Sequence, residues 1–368
     1  MASRPEVVSA GRSPTRDMRE AQLAEMTAAR WHGQRDIRLE QIPVPALAPD
    51  EALVGVRFTG VCGSDLEEYE HGPVVIRGPI TLGHEIVGRV VRPAGDGSGP
   101  STGTDVVVDV VTGCGDCYWC KRHEEGLCPD LDITGQHVDG GLAQYVAARA
   151  RRLIPVPPTL DIRHAAMAEP TAVAVRAVGQ AGGVLGRSVV VVGGGTVGLL
   201  VAQVLRHAGA TPVVILEPAG WRRDVATALG LRAEWADDEV SRRALIAALL
   251  PERGADAVIE CAGAPGTAAE SVRIARSGGT VVILGVVSQE SAIDLTGLVL
   301  GEKLVKGSTA HMWDDDVITA VSLLESGAVK VGALITHVRR LDEAPEAFEL
   351  LASREQRVLK VLIDCAAG

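Results

Sequence analysis

Ser188-Val189-Val190-Val191-Val192-Gly193-Gly194-Gly195-Thr196-Val197-Gly198 decides how this chain folds. Four consecutive valines are how a strand covered on both faces reads. Glycines at 193, 195 and 198 follow at once, and Leu199 to Ala208 then has helical character. G-x-G-x-x-G between a strand and a helix lets backbone amides and a helix N-terminus meet a pyrophosphate, so Gly193, Gly195, Thr196, Val197 and Gly198 are expected to bind a dinucleotide. A tight turn without a ligand is the bland alternative, and the strand, glycines, helix and a downstream acid in register outweigh it. That acid is Glu217, after Pro212-Val213-Val214-Ile215-Leu216. A carboxylate there accepts from both adenosine ribose hydroxyls and repels a 2′-phosphate, which favours NAD over NADP. Arg222, counted with the cofactor-binding residues, and Arg223 lie nearby and weaken that exclusion.

Two further strand-like runs, Ala257-Val258-Ile259-Glu260 and Thr280-Val281-Val282-Ile283-Leu284-Gly285, continue the alternation of strand and helix, giving a Rossmann unit over 175–310. Upstream, Thr27 to Ile42 reads as strand, turn and strand, with Gly33-Gln34-Arg35-Asp36 at the turn. Leu53 to Phe58, Gly140 to Val146 and Leu153 to Pro158 are also strand-like. Downstream, helices over Asp315 to Ser326 and Leu341 to Ala352 precede a last strand, Val358 to Ile363. That tail is too short to fold alone, so it is expected to pack back onto the first domain and make the Rossmann unit an insertion. The expected architecture is α/β: a β-rich domain over 27–174 and 311–368, the Rossmann unit over 175–310, and a disordered or loosely attached extension over 1–26.

A chain of 368 residues exceeds one ordinary core, and 46% hydrophobic with 23% charged residues is a globular composition. The net charge of -11 argues against nucleic acid or an anionic membrane as partner, since both demand clustered Lys and Arg; a small neutral substrate stays open. No apolar run is long enough to span a bilayer, and Met1 to about Glu25 lacks the apolar centre of a secretory signal. With cysteines clustered for metal rather than disulfides, a reducing cytoplasm is the expected setting.

Four of the seven cysteines form C-x2-C-x2-C-x7-C at Cys114, Cys117, Cys120 and Cys128, with Gly113, Gly115 and Gly126 letting the backbone wrap an ion. Four thiolates make a closed tetrahedral site with no room for substrate, which points to a structural zinc; two disulfides or an iron–sulfur cluster are the alternatives. A second candidate centre lies in Val61-Cys62-Gly63-Ser64-Asp65 and Gly83-His84-Glu85. Cys62 and His84 supply thiolate and imidazole for a catalytic zinc, which keeps three protein ligands and one open position. Glu169, just before Pro170 at a helix start, is either a helix-terminus anion or the third ligand. Ser64 can pass a proton or cap the following helix, and Asp65 can orient His84 or share in that capping. Glu85 can sit beside the metal or be an ordinary solvated carboxylate.

Taken in order, Gly60-Val61-Cys62-Gly63-Ser64-Asp65, Gly83-His84-Glu85, the four-cysteine lobe over 112–130, Glu169-Pro170 and Gly193 to Gly198 make the chain resemble the zinc-dependent medium-chain alcohol and polyol dehydrogenases over about residues 27 to 365. Glu169-Pro170 is similar to the sorbitol and butanediol dehydrogenase branch, where a glutamate replaces a cysteine ligand. Asp65-Leu66-Glu67-Glu68-Tyr69 followed by Gly72-Pro73 is similar to the butanediol dehydrogenases. The resemblance implies a GroES-like catalytic domain, a catalytic zinc on Cys62, His84 and Glu169, a structural zinc on the four cysteines, and a homodimer or homotetramer. It implies interconversion of a secondary alcohol (a polyol, vicinal diol, sugar or cyclitol) and its ketone, with hydride passing to or from NAD. Ser64 then takes the alcohol proton, and Glu85 exchanges with alcohol or water on the metal.

Family members commonly carry a histidine five residues after the zinc cysteine, and here Glu67 stands in that place. Either Glu67 relays the proton through water, or it bonds substrate hydroxyls, or the ribose hydroxyls lead the proton elsewhere. Two competing readings are a biosynthetic carbonyl reductase or redox-neutral zinc enzyme on the same fold, and a catalytically silent protein keeping only the structural zinc. Intact Cys62, His84, Glu169, Gly193 and Gly195 oppose the silent reading. Metal analysis separates them: the enzyme is expected to hold two zinc ions per chain and lose one in Cys62→Ser, whereas a single zinc that persists in Cys62→Ser would leave only the structural site.

Overall fold

In the computed structural model, Val189–Val192 pairs in parallel with Val213–Leu216 on one side and Ala255–Glu260 on the other, and all four valines are buried. The described residues are 24–74, 76–286, 290–354 and 357–366. The extension expected over 1–26 therefore lies outside them, except for its last three residues, of which Glu25 and Met26 already belong to the first strand. A six-stranded parallel sheet runs in the spatial order Arg232–Glu234, Val213–Leu216, Val189–Val192, Ala255–Glu260, Ala275–Ile283, Leu304–Gly307. The order reverses at Val189–Val192, and ligands of such sheets bind outside the carboxyl ends of the strands at that point.

The helix Thr196–His207 leaves that strand and buries Leu199, Leu200, Val201, Ala202 and Leu205 completely. Against it lies Ala168–Gln180, whose Ala172, Ala174 and Ala177 are also wholly covered. Small side chains at that crossing let the two helices approach closely.

A second sheet, seven-stranded, is centred on Glu51–Gly60. Glu85–Arg92, Tyr145–Arg149 and Lys360–Asp364 pair antiparallel with it, and Ile335–Arg340 lies beyond the last of these. The tail strand thus occupies the sheet that the N-terminal half began. Asp36–Pro43, Glu25–Gly33 and Ile80–Thr81 make a smaller sheet, and Val111–Thr112 with Asp132–Ile133 makes a two-stranded base for the cysteine lobe.

Some elements differ from the sequence expectation. The helix expected over 315–326 begins with a π-helical turn, Trp313–Val317, before Ile318–Glu325 becomes α-helical. The strands Arg232–Glu234 and Leu304–Gly307 were not expected; both are sheet edges, where polar or exposed residues replace the apolar run that marks a central strand.

Asp256 ties the roots of two central strands together. Its Oδ2 accepts from the Ser188 amide and hydroxyl, both at 2.9 Å, and its Oδ1 accepts from Arg276 Nε at 2.7 Å. Burial pushes this carboxyl up, but hydrogen bonds from Arg253, Arg276 and Ser188 outweigh it and hold it well below the usual carboxylate range. Its stabilisation is therefore complete above an unfolded pKa of about 4 and lost as pH falls through the lower folded value. Asp256→Ala is expected to cost about 2 kcal/mol at neutral pH, less than for a fully buried pair because the arginines are partly solvated. Urea unfolding should show that penalty shrinking in strong acid; a penalty independent of pH would contradict the account.

Candidate active site and metal centres

Cys62 and His84 meet because of sheet register. Gly60, at the end of Glu51–Gly60, is paired with Glu85, the first residue of Glu85–Arg92, so the residues just beyond each strand are neighbours. A methyl on Gly60 would overlap Glu85 Oε2, which is the local reason for glycine there. One ligand atom from each of Cys62, His84 and Glu85 lies within 4.8 Å of the others. Glu85 Oε1 pairs with Lys360 Nζ at 2.6 Å, while its Oε2 is buried with no hydrogen-bond partner. A buried carboxylate oxygen without a donor, beside a thiol and an imidazole, fits a zinc ion by donor set.

Asp65 organises this corner. Its Oδ2 accepts from the Cys62 amide at 2.9 Å at the start of the helix Gly63–His71, and its Oδ1 is 3.3 Å from His84 Nδ1. Burial pulls the His84 pKa down, but the charges of Asp65 and Cys62 outweigh it and hold it well above its usual value. Glu85 is pushed up by burial, with the Lys360 charge opposing. Lys360 is pulled down by burial and lifted overall by Glu85 and Cys62. The pocket thus gathers carboxylates, a thiol and an imidazole around one point, donors that a divalent cation can share.

The remaining expected residues fall as follows. Glu169 is buried in the first turn of Ala168–Gln180, outside the three-residue group. Its Oε1 lies 3.5 Å from His311 Nδ1. Burial raises its pKa, but the His311 imidazole beside it and the charges of His84 and Lys360 bring it below the usual carboxylate value. Ser64 is exposed on Gly63–His71, where Gln136 Nε2 donates to its Oγ at 3.4 Å. Glu67, half-buried, lies three residues further along the same helix and so shares a face with Ser64. His311, Gln136 and Lys360 were missed by sequence reasoning, because each is a lone polar residue remote in sequence from what it touches.

The four cysteines converge. Cys117 Sγ lies 3.5 Å from that of Cys120 and 3.7 Å from that of Cys128, and Cys114 Sγ is 4.0 Å from that of Cys120. Zinc–sulfur bonds of 2.3 Å in a tetrahedron put sulfurs about 3.8 Å apart, so the four fit a zinc ion. The Cys114 amide points at Cys128 Sγ and the Cys120 amide at Cys117 Sγ, as thiolates require.

The glycine loop is shaped for a close ligand. Gly193 has φ +101°, and a side chain on Gly195 would meet nothing, leaving that space open before the helix Thr196–His207. Thr196 donates its hydroxyl to the Leu359 carbonyl at 3.1 Å, so only its backbone faces the loop's ligand side as a free helix-terminal donor. Val197 is half-buried, packed against the core. Glu217 is buried; its Oε2 accepts from the Gly194 amide at 2.7 Å and its Oε1 from Ala219 at 2.8 Å. Arg222 Nη1 stands 3.7 Å from Glu217 Oε2. A cleft of about 440 Å³ lies at the carboxyl ends of the strands, between Gly285, Val286, Ser308 and Thr309 on one side and Leu127, Arg176 and Met312 on the other. A smaller hollow of about 190 Å³ by Gln203, Arg206 and Lys330 holds none of the candidate groups.

Residues 48–158 match the family model of the alcohol dehydrogenase GroES-like domain, and residues 196–326 match that of zinc-binding dehydrogenases. The chain is similar to D-arabinitol dehydrogenase 1 of Uromyces fabae, 30% identical over 337 residues, covering 90% of this chain and 95% of that protein. It is similar to L-threonine 3-dehydrogenase of Pyrococcus furiosus, 32% identical over 323 residues, covering 85% and 91%. Among solved structures it is similar to a Sinorhizobium meliloti protein described as a zinc-binding dehydrogenase and bound to NADP, with 34% identity and a TM-score of 0.84 over 92% of this chain and 99% of that one.

Removing the Lys360 charge leaves Glu85 buried without its cation, so Lys360→Met is expected to favour the protonated carboxyl and weaken metal binding at Cys62 and His84. Zinc content should fall towards one per chain near neutral pH and recover partly as pH rises; two firmly held zinc ions at all pH values would contradict this.

Proposed function

Because the chain belongs to the zinc-dependent medium-chain alcohol and polyol dehydrogenases, we propose that it oxidises a secondary alcohol of the polyol, vicinal diol, sugar or cyclitol kind to a ketone with NAD, using a zinc held by Cys62, His84 and a buried carboxylate. The chain is an oxidoreductase acting on CH–OH groups, as its relatives are. The observation that carries the residue assignment is the convergence of Cys62, His84 and Glu85 within 4.8 Å, which favours Glu85 as the carboxylate and leaves Glu169 beside the set.

When bound, zinc supplies a Lewis acid that eases loss of the hydroxyl proton, and the nicotinamide accepts the hydride. Ser64 Oγ receives the carbinol proton, steadied by Gln136 Nε2. Glu67, on the same helical face, carries the proton on or accepts from a second substrate hydroxyl. Lys360 opposes protonation of Glu85, and Asp65 holds both the Cys62 backbone and the His84 ring in place. The loop at Gly193, Gly195 and Gly198 with the amides of Thr196 and Val197 receives the pyrophosphate. Run in reverse, the same groups reduce a ketone.

Glu217 supports NAD, since its carboxylate closes the end of Val213–Leu216 where a 2′-phosphate would sit. Arg222 beside it, and the NADP bound to the Sinorhizobium protein, make NADP the alternative. The catalytic part over 27–174 and 311–368 and the cofactor part over 175–310 belong to the same reading, supported by their separate sheets. So does a homodimer or homotetramer, supported by the edge strand Leu304–Gly307 and the exposed Leu295, Val299 and Leu300 next to it.

The test is a screen of polyols, vicinal diols, cyclitols and L-threonine with each cofactor. Reduction of NAD by at least one secondary alcohol, with kcat/KM about tenfold or more above that with NADP, is the expected result. Equal rates would sink the Glu217 assignment, and no turnover in either direction would sink the reading as a whole. Glu67→His is expected to retain turnover while shifting its pH profile; an unchanged profile would remove Glu67 from the proton path.

A further inference from the structure

Five buried ionisable residues form a continuous ladder from the cysteine lobe to the reaction site. It starts at Glu125, in the short helical turn Glu125–Leu127 whose Glu125 carbonyl accepts from the Cys128 amide at 2.9 Å. Arg152 Nη2 is 3.5 Å from Glu125 Oε1, and Arg152 Nη1 donates to Asp109 Oδ2 at 3.1 Å. Asp109 Oδ1 lies 2.9 Å from His311 Nε2 and also accepts from the Val111 amide at 3.1 Å. His311 Nδ1 completes the series at 3.5 Å from Glu169 Oε1. None of the five is more than 9% exposed, and His311 is fully covered.

Buried charges persist only when each is compensated, and removing one member leaves its neighbour unpaired. In this series carboxylates alternate with Arg152 and His311, so the placement of each carboxylate depends on the nitrogen groups beside it. Glu169 has no described salt-bridge partner other than His311, and it is one of the carboxylates facing the Cys62–His84–Glu85 group. The backbone follows the same path: the Asp109 amide donates to the Arg152 carbonyl at 2.9 Å, and Gly126 of the lobe packs against Met312, next to His311.

We propose that His311 is a positioning residue that fixes the Glu169 carboxylate beside the reaction site, and that Asp109, Arg152 and Glu125 anchor it to the four-cysteine lobe, so that the folding of that lobe is felt where the chemistry occurs. The proposal rests on the function proposed above. It gives the four-cysteine lobe a second task beyond stability, through contacts that an uncharged packing interface would not supply.

The test uses the full chain prepared with zinc in the four-cysteine site and cobalt(II) at Cys62 and His84, read by visible absorption together with steady-state kinetics. His311→Gln is expected to shift the cobalt band and lower kcat by roughly 10–100-fold, the range for groups that orient a metal site from outside it. Arg152→Gln, which touches no candidate ligand, should shift the band in the same direction and lower kcat by a smaller factor, and the double variant should be no worse than His311→Gln alone. A folded Arg152→Gln protein that keeps its structural zinc and matches wild type in band and kcat would overturn the proposal, as would independent, multiplicative effects in the double variant. If Arg152→Gln does not fold, Glu125→Gln asks the same question with no change of volume, and a wild-type band and kcat there would overturn it. A wild-type chain that takes up no cobalt at Cys62 and His84 would defeat the underlying reading of the site, an outcome distinct from failure of the ladder.

Discussion

The buried ion pair between Lys360 and Glu85, 2.6 Å long, is the interaction on which the architecture turns. Each charge alone would cost several kcal/mol to bury, and together they persist only with good geometry and further hydrogen bonds. Lys360 meets that condition by also donating to the Val61 carbonyl at 3.0 Å. Its strand, Lys360–Asp364, lies beside Glu51–Gly60, so the chain returns to the first sheet after completing the parallel one. The return of the chain to the first sheet and the assembly of the thiol, imidazole and carboxylate meet at this one pairing.

Around that pair the site is built from opposed charges. Asp65, Glu85 and Glu169 are buried carboxylates; His84, Lys360 and His311 are the groups that face them. Such an arrangement is costly in an empty hydrocarbon core and becomes useful where a divalent cation joins it. The cysteine lobe handles the same problem differently, by giving four thiols backbone amide donors and space for one tetrahedral ion.

What the sequence disclosed followed from how local each feature is. The strand, glycines and helix of 188–207 are contiguous, so their period and punctuation carry the reading: the observed strand falls within one residue of it, and the helix ends within one residue but starts three earlier, at Thr196. The cysteine lobe is likewise a short spacing pattern. Cys62 and His84 were legible as a motif, and Glu85 was named as a residue that can sit beside the metal, but the third ligand implied by the resemblance was Glu169 and not Glu85. Consecutive residues of a regular strand face opposite sides, which makes His84 and Glu85 an unlikely pair on one centre. In the structure His84 precedes the strand and follows Gly83 at φ +94°, so the alternation does not apply and both residues reach the same point. Lys360, His311, Asp109 and Gln136 act across large sequence separations, and no local pattern marks them.

The proposed chemistry depends on one zinc held by Cys62, His84 and a carboxylate and a second held by four cysteines. Zinc X-ray absorption on the intact wild-type protein tests it most directly. Five sulfur ligands shared by two ions predict two zinc per chain and an average of about 2.5 sulfurs per zinc at about 2.3 Å, with lighter nitrogen and oxygen scatterers making up the rest. One zinc per chain surrounded by four sulfurs alone would contradict it.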